Sequence, residues 1–174
     1  MQARINYVAA LSPDALKAIY ALSAGAEKGG VPAKTSDLVE LRASQINGCG
    51  VCVDMHWRIM RKRGETEERI FAVSAWRDAP YFTEAERAAL ALTEAVTRIA
   101  DREDPVPDAI WNEAARYFDE RALAALVLKI GIINIWNRLN VATRQVAGEW
   151  IKSPEGEAVL NRYAEQAPAA AAAH

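Results

Sequence analysis

The 174-residue sequence has almost no net charge, few aromatic residues and only two cysteines. A net charge of −2 gives no general attraction to nucleic acid or to an anionic membrane. The aromatic residues are not grouped with basic residues, as binding of single strands would require. The first residues also lack the apolar core of a secretion signal. We therefore expect a cytoplasmic protein that has no nucleic-acid partner and no membrane partner.

The chain also lacks strand signals. No segment alternates apolar and polar β-branched residues between turns, and no repeat of fixed period occurs. Apolar residues make up 51% of the sequence, and the length suits one domain with its own core. These features predict an all-α fold in which residues 1–165 form a single helical domain. The alanine-rich residues 166–174 are expected to form a frayed tail.

Helix signals are frequent along the chain. Ser12-Pro13 opens a helix, because serine caps it and proline suits its first position. Thr83 with Glu86 three residues later predicts a capping box, and Asp119 can cap the longest helix. The predicted helices cover residues 13–25, 33–46, 49–63, 65–76, 84–101, 107–118 and 120–146, with one more after Pro154.

The most apolar stretch runs from Leu123 to Trp136. It is shorter than the roughly 20 residues that span a bilayer, and it carries Lys129 and Asn134. Apolar side chains cover every face of the predicted helix, so the helix needs partners on all sides. We therefore predict a buried helix, either central in the domain or packed against a second subunit, and we expect a homo-oligomer.

One short segment, from Asn47 to His56, holds both cysteines and one of the two histidines; the other, His174, ends the alanine-rich tail. If the segment is helical, Cys49, Cys52 and His56 are spaced i,i+3 and i,i+4 and lie along one stripe. The Asn-Gly pair before them indicates the end of one helix and the start of another. Cys49 would then lie at a helix N-terminus, where unpaired N–H groups and the helix dipole favour a thiolate.

Two cysteines and a histidine allow three interpretations. A structural zinc site normally has four protein ligands, and His174 is implausibly placed to be the fourth, so we expect no metal. Both cysteines could instead be small buried apolar side chains, with His56 a satisfied core residue. The third interpretation is redox chemistry: one thiolate attacks a peroxide or a disulfide, and the second cysteine closes an intramolecular disulfide. The position at a helix start favours this third interpretation.

A redox pair of this kind needs a base. His56 can take the proton from Cys52, and a carboxylate behind the imidazole ring would orient it. Asp37 and Glu40, one turn apart on the preceding helix, are the candidates, although both could simply lie on a solvated face. The helix start favours Cys49 as the attacking thiolate, whereas reach to His56 favours Cys52. We predict that Cys52 meets the peroxide and that Cys49 resolves the product.

The string LRASQINGCGVCVDMH, residues 41–56, closely resembles the AhpD-like alkylhydroperoxidase branch of the carboxymuconolactone decarboxylase superfamily. The SQINGC-x-x-C-x-x-x-H core of that branch is present in full. The resemblance continues at residues 64–69, 75–80, 86–96 and 133–140 and covers most of the chain between about residues 12 and 145. It implies an all-helical fold that assembles as trimers or hexamers and a peroxidase-like dithiol site with no cofactor.

Carried over by position, the resemblance assigns Cys49 and Cys52 as the redox pair and His56 as the relay histidine. The family's peroxidases have a glutamate twelve residues before the first cysteine; that position is Asp37 here, with Glu40 nearby. The implied activity is reduction of hydroperoxides, with a dithiol protein or a lipoyl group as the reductant. Two alternatives stay open: a lactone or β-keto acid lyase with His56 as its base, and a non-enzymatic oligomer that responds to redox state.

Overall fold

The computed structural model describes residues 2–165, and every regular element in that range is helical. The predicted tail, residues 166–174, lies outside the described residues. The described range contains nine α-helices: α1 (Tyr7–Ala10), α2 (Pro13–Glu27), α3 (Ala33–Ile46), α4 (Gly50–Lys62), α5 (Glu67–Ala72), α6 (Glu84–Thr97), α7 (Asp108–Ala115), α8 (Glu120–Ala142) and α9 (Pro154–Glu165). The prediction of an all-α fold is confirmed.

The helix starts agree with the cap residues read from the sequence. Ser12 Oγ accepts a hydrogen bond from the backbone N–H of Ala15 at 3.2 Å at the start of α2. Thr83 and Glu86 form the predicted capping box of α6, and the Asp119 side chain caps α8. Because each cap satisfies N–H groups that the first turn leaves unpaired, these starts are set by local chemistry.

The helix ends differ more from the prediction. Helix α6 stops at Thr97 and is followed by a short 3₁₀ turn, Ile99–Asp101, where a continuous helix is predicted. Helix α8 stops at Ala142, and Arg144 just beyond it takes the left-handed conformation, with φ 55°. The sequence prediction also misses α1, a single helical turn that the Asn6 side chain caps.

Helix α8 is the centre of the domain and contacts α2, α3, α4, α6 and α7. Leu126 and Ile130 on this helix are fully buried, whereas Leu128, Ile135 and Val141 are exposed. At 23 residues, α8 is long and apolar enough to cross a bilayer by length and composition, which the prediction from the shorter stretch Leu123 to Trp136 did not anticipate. Half of its most apolar window is buried inside the protein, which is the packing of a core helix.

Helices α3 and α4 pack against each other and against α8, and they form the frame of the candidate site. Leu38 and Leu41 of α3 and Met60 of α4 share one buried cluster with Leu90 of α6. Each such side chain contributes about 1.5–3 kcal/mol through burial. The turn between α3 and α4 contains Gly48 at φ +64°, a conformation that glycine adopts without strain.

The N-terminal segment lies across the C-terminal end of α8. The backbone N–H of Arg4 donates to the carbonyl of Thr143 at 2.8 Å, and Gln145 Nε2 donates to the carbonyl of Ile5 at 2.7 Å. Helix α1 is therefore held beside α8, and Tyr7 is buried there.

Candidate active site

The two cysteines occupy the start of α4. Cys49 is the N-cap residue, and its sulfur accepts a hydrogen bond from the backbone N–H of Cys52 at 3.4 Å. The two sulfur atoms lie 2.8 Å apart; both thiols are free and 1% exposed. The prediction that Cys49 lies at a helix N-terminus is therefore confirmed.

Hydrogen bonding shifts the pKa values of the two thiols in opposite directions. The hydrogen bond with Cys52 lowers the pKa of Cys49 to about 7, and the backbone N–H of Cys52 acts in the same direction against the opposing effect of burial. The same contact with Cys49, together with burial, raises the pKa of Cys52 well above its usual range. The first proton is therefore lost from Cys49. This favours Cys49 as the attacking thiolate, opposite to the prediction from the sequence.

The surroundings of the sulfur atoms are largely apolar. Cys49 and Cys52 form a buried cluster with Ala43 of α3 and Ile133 of α8, and the half-buried Trp136 packs against it. A thiolate in such surroundings loses its hydration, so it needs hydrogen-bond donors from the protein.

Helix α8 carries a row of three buried asparagines, Asn134, Asn137 and Asn140, and the last two supply these donors. Asn140 Nδ2 donates to Cys52 Sγ at 3.3 Å, and the Asn137 side chain lowers the pKa of both thiols. The Asn47 amide, before the first cysteine, donates to the side-chain oxygens of Asn134 and Asn137. The sequence reasoning missed these residues, although amides at i, i+3 and i+6 in an apolar helix indicate one buried polar stripe.

His56 lies one turn beyond Cys52 on α4 and is buried. Neither ring nitrogen has a hydrogen-bond partner among the described residues. Burial lowers the pKa of His56, while the nearby Glu40 opposes this shift. The ring is therefore neutral at pH 7 and can accept a proton. The predicted hydrogen bond from Cys52 to His56, which favoured Cys52 as the attacking residue, is not formed.

The structure separates the two candidate carboxylates. Glu40 Oε2 lies 3.8 Å from His56 Nδ1, and Glu40 also pairs with Lys129 of α8 at 3.5 Å. Asp37 pairs instead with Arg63, just beyond the end of α4, in a buried ion pair. Burial raises the pKa of Asp37 to about 6 against the opposing effect of Arg63, so Asp37 is ionised at pH 7. Only Glu40 of the two is placed to orient His56.

A cavity of about 160 Å³ adjoins the carboxylate side of the site. Its lining includes both candidate carboxylates and both basic partners: Asp37, Glu40, Arg63 and Lys129. His56 and the two cysteines are not part of the lining. Within residues 2–165, no group of three histidine, cysteine or acidic side chains is arranged to hold a metal ion.

The sequence is similar to a known family and to two curated proteins. The carboxymuconolactone decarboxylase family model matches residues 13–95. An uncharacterized protein of Bacillus subtilis, YdfG, is 35% identical over 142 residues, which are 82% of this chain and 95% of that protein. YnjA, an uncharacterized protein of Escherichia coli, is 33% identical over 118 residues, which are 68% of this chain and 63% of that protein.

Solved structures share the fold. A protein of unknown function from Agrobacterium tumefaciens, described as a candidate AhpD antioxidant defence protein, superimposes with a TM-score of 0.78 at 40% identity. That match covers 84% of this chain and 98% of the other. The debrominase Bmp8 superimposes with a TM-score of 0.67 at 23% identity, over 87% of this chain and 77% of the other, which shows a common fold.

Proposed function

The chain belongs to the carboxymuconolactone decarboxylase family, and we propose that it is a thiol-dependent hydroperoxide reductase of the AhpD type. The observation that carries this proposal is the contact between two free thiols at a helix N-terminus, where one of them has a pKa near 7. A structural pair of buried cysteines needs neither a lowered pKa nor amide donors at the sulfur.

The first step is attack by the Cys49 thiolate on an oxygen of the hydroperoxide. The S–O bond forms as the O–O bond breaks, and the leaving alkoxide takes a proton to become an alcohol. Sulfur is oxidised to the sulfenic acid, and the peroxide is reduced. The helix N-terminus lowers the cost of holding the thiolate before this step.

The second step closes the disulfide. The thiol of Cys52 passes its proton to His56, and its sulfur attacks the sulfenic sulfur of Cys49. The S–S bond forms as the S–O bond breaks, and the departing hydroxide takes the proton from His56 to become water. Burial still raises the pKa of Cys52 after Cys49 is oxidised, so this step depends on a neutral base one turn away.

Glu40 is the partner of His56 in this proposal. When the imidazole takes the proton, its positive charge lies 3.8 Å from the carboxylate in a buried setting. The attraction between the two stabilises the imidazolium and holds the ring in position. Glu40 also borders the cavity, so it connects a buried base to solvent.

The apolar cluster around the sulfur atoms favours an organic hydroperoxide over hydrogen peroxide, because Ile133 and the ring of Trp136 offer apolar contacts to an alkyl group. The disulfide returns to two thiols by exchange with a dithiol protein or a lipoyl group, with no resident cofactor. We propose the cytoplasm as its location, since thiols are kept reduced there.

Assembly into a trimer or hexamer is part of the proposal. Leu128, Ile135 and Val141 are exposed on a helix whose other large apolar side chains are buried or half-buried, and they suit a contact with a second copy. Sedimentation of the protein should give more than one chain per particle, and Ile135→Glu should reduce that number. The same mass for oxidised and reduced protein would exclude the alternative of a redox-responsive oligomer.

Separate Cys49→Ser and Cys52→Ser variants test the activity. Each should abolish turnover of an organic hydroperoxide with a dithiol reductant, because neither can close the disulfide. Cys49→Ser should also stop the first oxidation, whereas Cys52→Ser should still form a sulfenic acid that dimedone traps. Full peroxide consumption by either variant would contradict the assignment of a reductase that uses the Cys49–Cys52 pair.

A lyase is the second candidate, and it rests on one observation: a neutral, buried His56 beside Glu40 is also a suitable general base. In that reaction His56 would remove a proton next to a carbonyl of a lactone or β-keto acid, and the thiols would be dispensable. Proton exchange at that carbon in the double Cys→Ser protein would favour the lyase. Loss of all activity in that protein favours the reductase.

A further inference from the structure

Tyr7 reaches the cysteine site from the far end of the sequence. Arg4 donates hydrogen bonds to the carbonyls of Ala142 and Thr143, and Gln145 donates one to the carbonyl of Ile5. These bonds hold the N-terminal segment on the end of α8. Tyr7, 7% exposed, points inward, and its hydroxyl donates to Asn140 Oδ1 at 3.2 Å. A residue in the first helix is thus linked to the third asparagine of the buried row.

The bond from Tyr7 fixes the orientation of the Asn140 amide. With its oxygen occupied by the phenol, Asn140 presents its NH₂ group to Cys52 Sγ at 3.3 Å. An amide turned the other way would present an oxygen to the sulfur and would repel a thiolate. All three side chains are buried, so water does not compete for these bonds.

We propose that Tyr7 and Asn140 are positioning residues that stabilise the thiolate of Cys52 through the chain Tyr7 Oη, Asn140 amide, Cys52 Sγ. The proposal rests on the proposed function and concerns its second step, in which Cys52 must lose its proton beside an apolar cluster. The amide supplies a hydrogen bond to the developing negative charge, and it transfers neither a proton nor electrons. The proton goes from Cys52 to His56, as described above.

The phenol suits this task because it stays neutral. Burial and the neighbouring thiols raise the pKa of Tyr7 to about 12, so the hydroxyl remains a donor at working pH. The other titratable groups near Cys52 are Cys49 at 2.8 Å and His56 one turn along α4. A hydrogen bond to a charged group is roughly twice as strong as one between neutral groups.

The alternative explanation is that Tyr7 and Asn140 only pack the N-terminal segment against α8. Under that explanation, removing the hydroxyl would change the stability of the fold and leave the acidity of Cys52 unchanged. The two explanations therefore differ in a property of one sulfur atom, which can be measured without any peroxide.

The test uses the full chain carrying Cys49→Ser, so that Cys52 is the only thiol. The rate of Cys52 alkylation by iodoacetamide is followed by intact mass across a range of pH. The variants are Tyr7→Phe, which removes only the hydroxyl, and Asn140→Asp, which replaces the donor by a carboxylate of the same shape. Tyr81→Phe is the matched control, because Tyr81 is 46% exposed and lies outside the site.

Alkylation at neutral pH should slow about 3-fold in Tyr7→Phe and about 10-fold or more in Asn140→Asp. The Tyr81→Phe rate should equal that of the parent. Thermal unfolding checks that each variant is folded.

Unchanged alkylation in a folded Tyr7→Phe protein would overturn the positioning role of the tyrosine. Unchanged values in Asn140→Asp as well would overturn the role of the amide. The outcome is independent of the peroxidase assignment. If peroxide oxidises neither thiol of the parent while Tyr7→Phe slows alkylation of Cys52, the reductase proposal fails and the positioning role stands.

Discussion

The two sides of α4 differ in polarity: one side is apolar with neutral amides, and the other carries charged side chains. On the sulfur side, Cys49 and Cys52 lie among apolar residues and neutral amides from α8. On the carboxylate side, Glu40 lies within reach of His56 and Lys129 and borders a cavity. The sulfur atoms are thus kept away from water, whereas His56 has a charged partner that borders the cavity. His56 lies between the two sides. Its substitution should therefore show most clearly which reaction step depends on each side.

His56→Ala should have the largest effect of the substitutions that spare the thiols. Loss of the base slows a proton transfer by about 10²–10⁴-fold, so turnover with an organic hydroperoxide should fall by that amount. The first oxidation, at Cys49, should keep its rate because that thiolate does not depend on His56. Stopped-flow measurement of both steps checks this, and equal loss in the two steps would contradict the division between the two sides.

Asp37→Asn and Glu40→Gln compare two carboxylates one turn apart. Glu40→Gln should slow disulfide closure about 10-fold, because the imidazolium loses its anionic partner. Asp37→Asn should leave that rate unchanged, because Asp37 pairs with Arg63, and should lower the free energy of unfolding by no more than about 1 kcal/mol at pH 7, since burial already disfavours the Asp37 charge. Single-turnover kinetics and urea unfolding of both variants test the pair. The reverse pattern would make Asp37 the relay carboxylate.

The pH dependence of the first step tests whether the pKa of Cys49 is lowered in the folded protein. The reactive form of Cys49 is the thiolate, so the rate of sulfenic acid formation should rise as pH increases and level off above about pH 7. Deprotonation is favoured in the folded protein, so the unfolded chain should react with a midpoint at higher pH. Trapping with dimedone in Cys52→Ser measures the profile for the isolated residue.

Of these substitutions, Lys129→Met should have the smallest effect on turnover. Lys129 lowers the pKa of His56 and pairs with Glu40 at 3.5 Å, so its two influences on the relay oppose each other. We expect a change in turnover of no more than about 3-fold, with the pH profile of disulfide closure displaced upward as His56 becomes more basic. A loss as large as that of His56→Ala would show that the lysine takes part in the chemistry.

The features that could be predicted from the sequence are those set by neighbouring residues. Ser12, Thr83 and Asp119 begin their helices because a cap acts within one turn. The placement of Cys49 at a helix start and of His56 one turn beyond Cys52 follows from spacing on one helix. The same reasoning could not choose between Asp37 and Glu40, because the choice depends on Arg63 and Lys129 from other parts of the fold.

The missed residues all act across long separations in the chain. Tyr7 and Asn140 are 133 positions apart, and Asn140 and Cys52 are 88 apart. The position of the N-terminal segment depends on where α8 ends, and that end is misplaced in the sequence prediction. The sequence shows three asparagines with helical spacing in α8, but it does not show that they face the cysteines, because no neighbouring residue indicates which helix packs against them.

The most direct test of the central claim is the intact mass and free-thiol count of the reduced protein after one equivalent of an organic hydroperoxide. A reactive pair predicts rapid loss of both thiols and of about 2 mass units, with no oxygen retained. Reduction by a dithiol should restore the starting mass. If both thiols survive, the claim that Cys49 and Cys52 form a peroxide-reducing pair is contradicted.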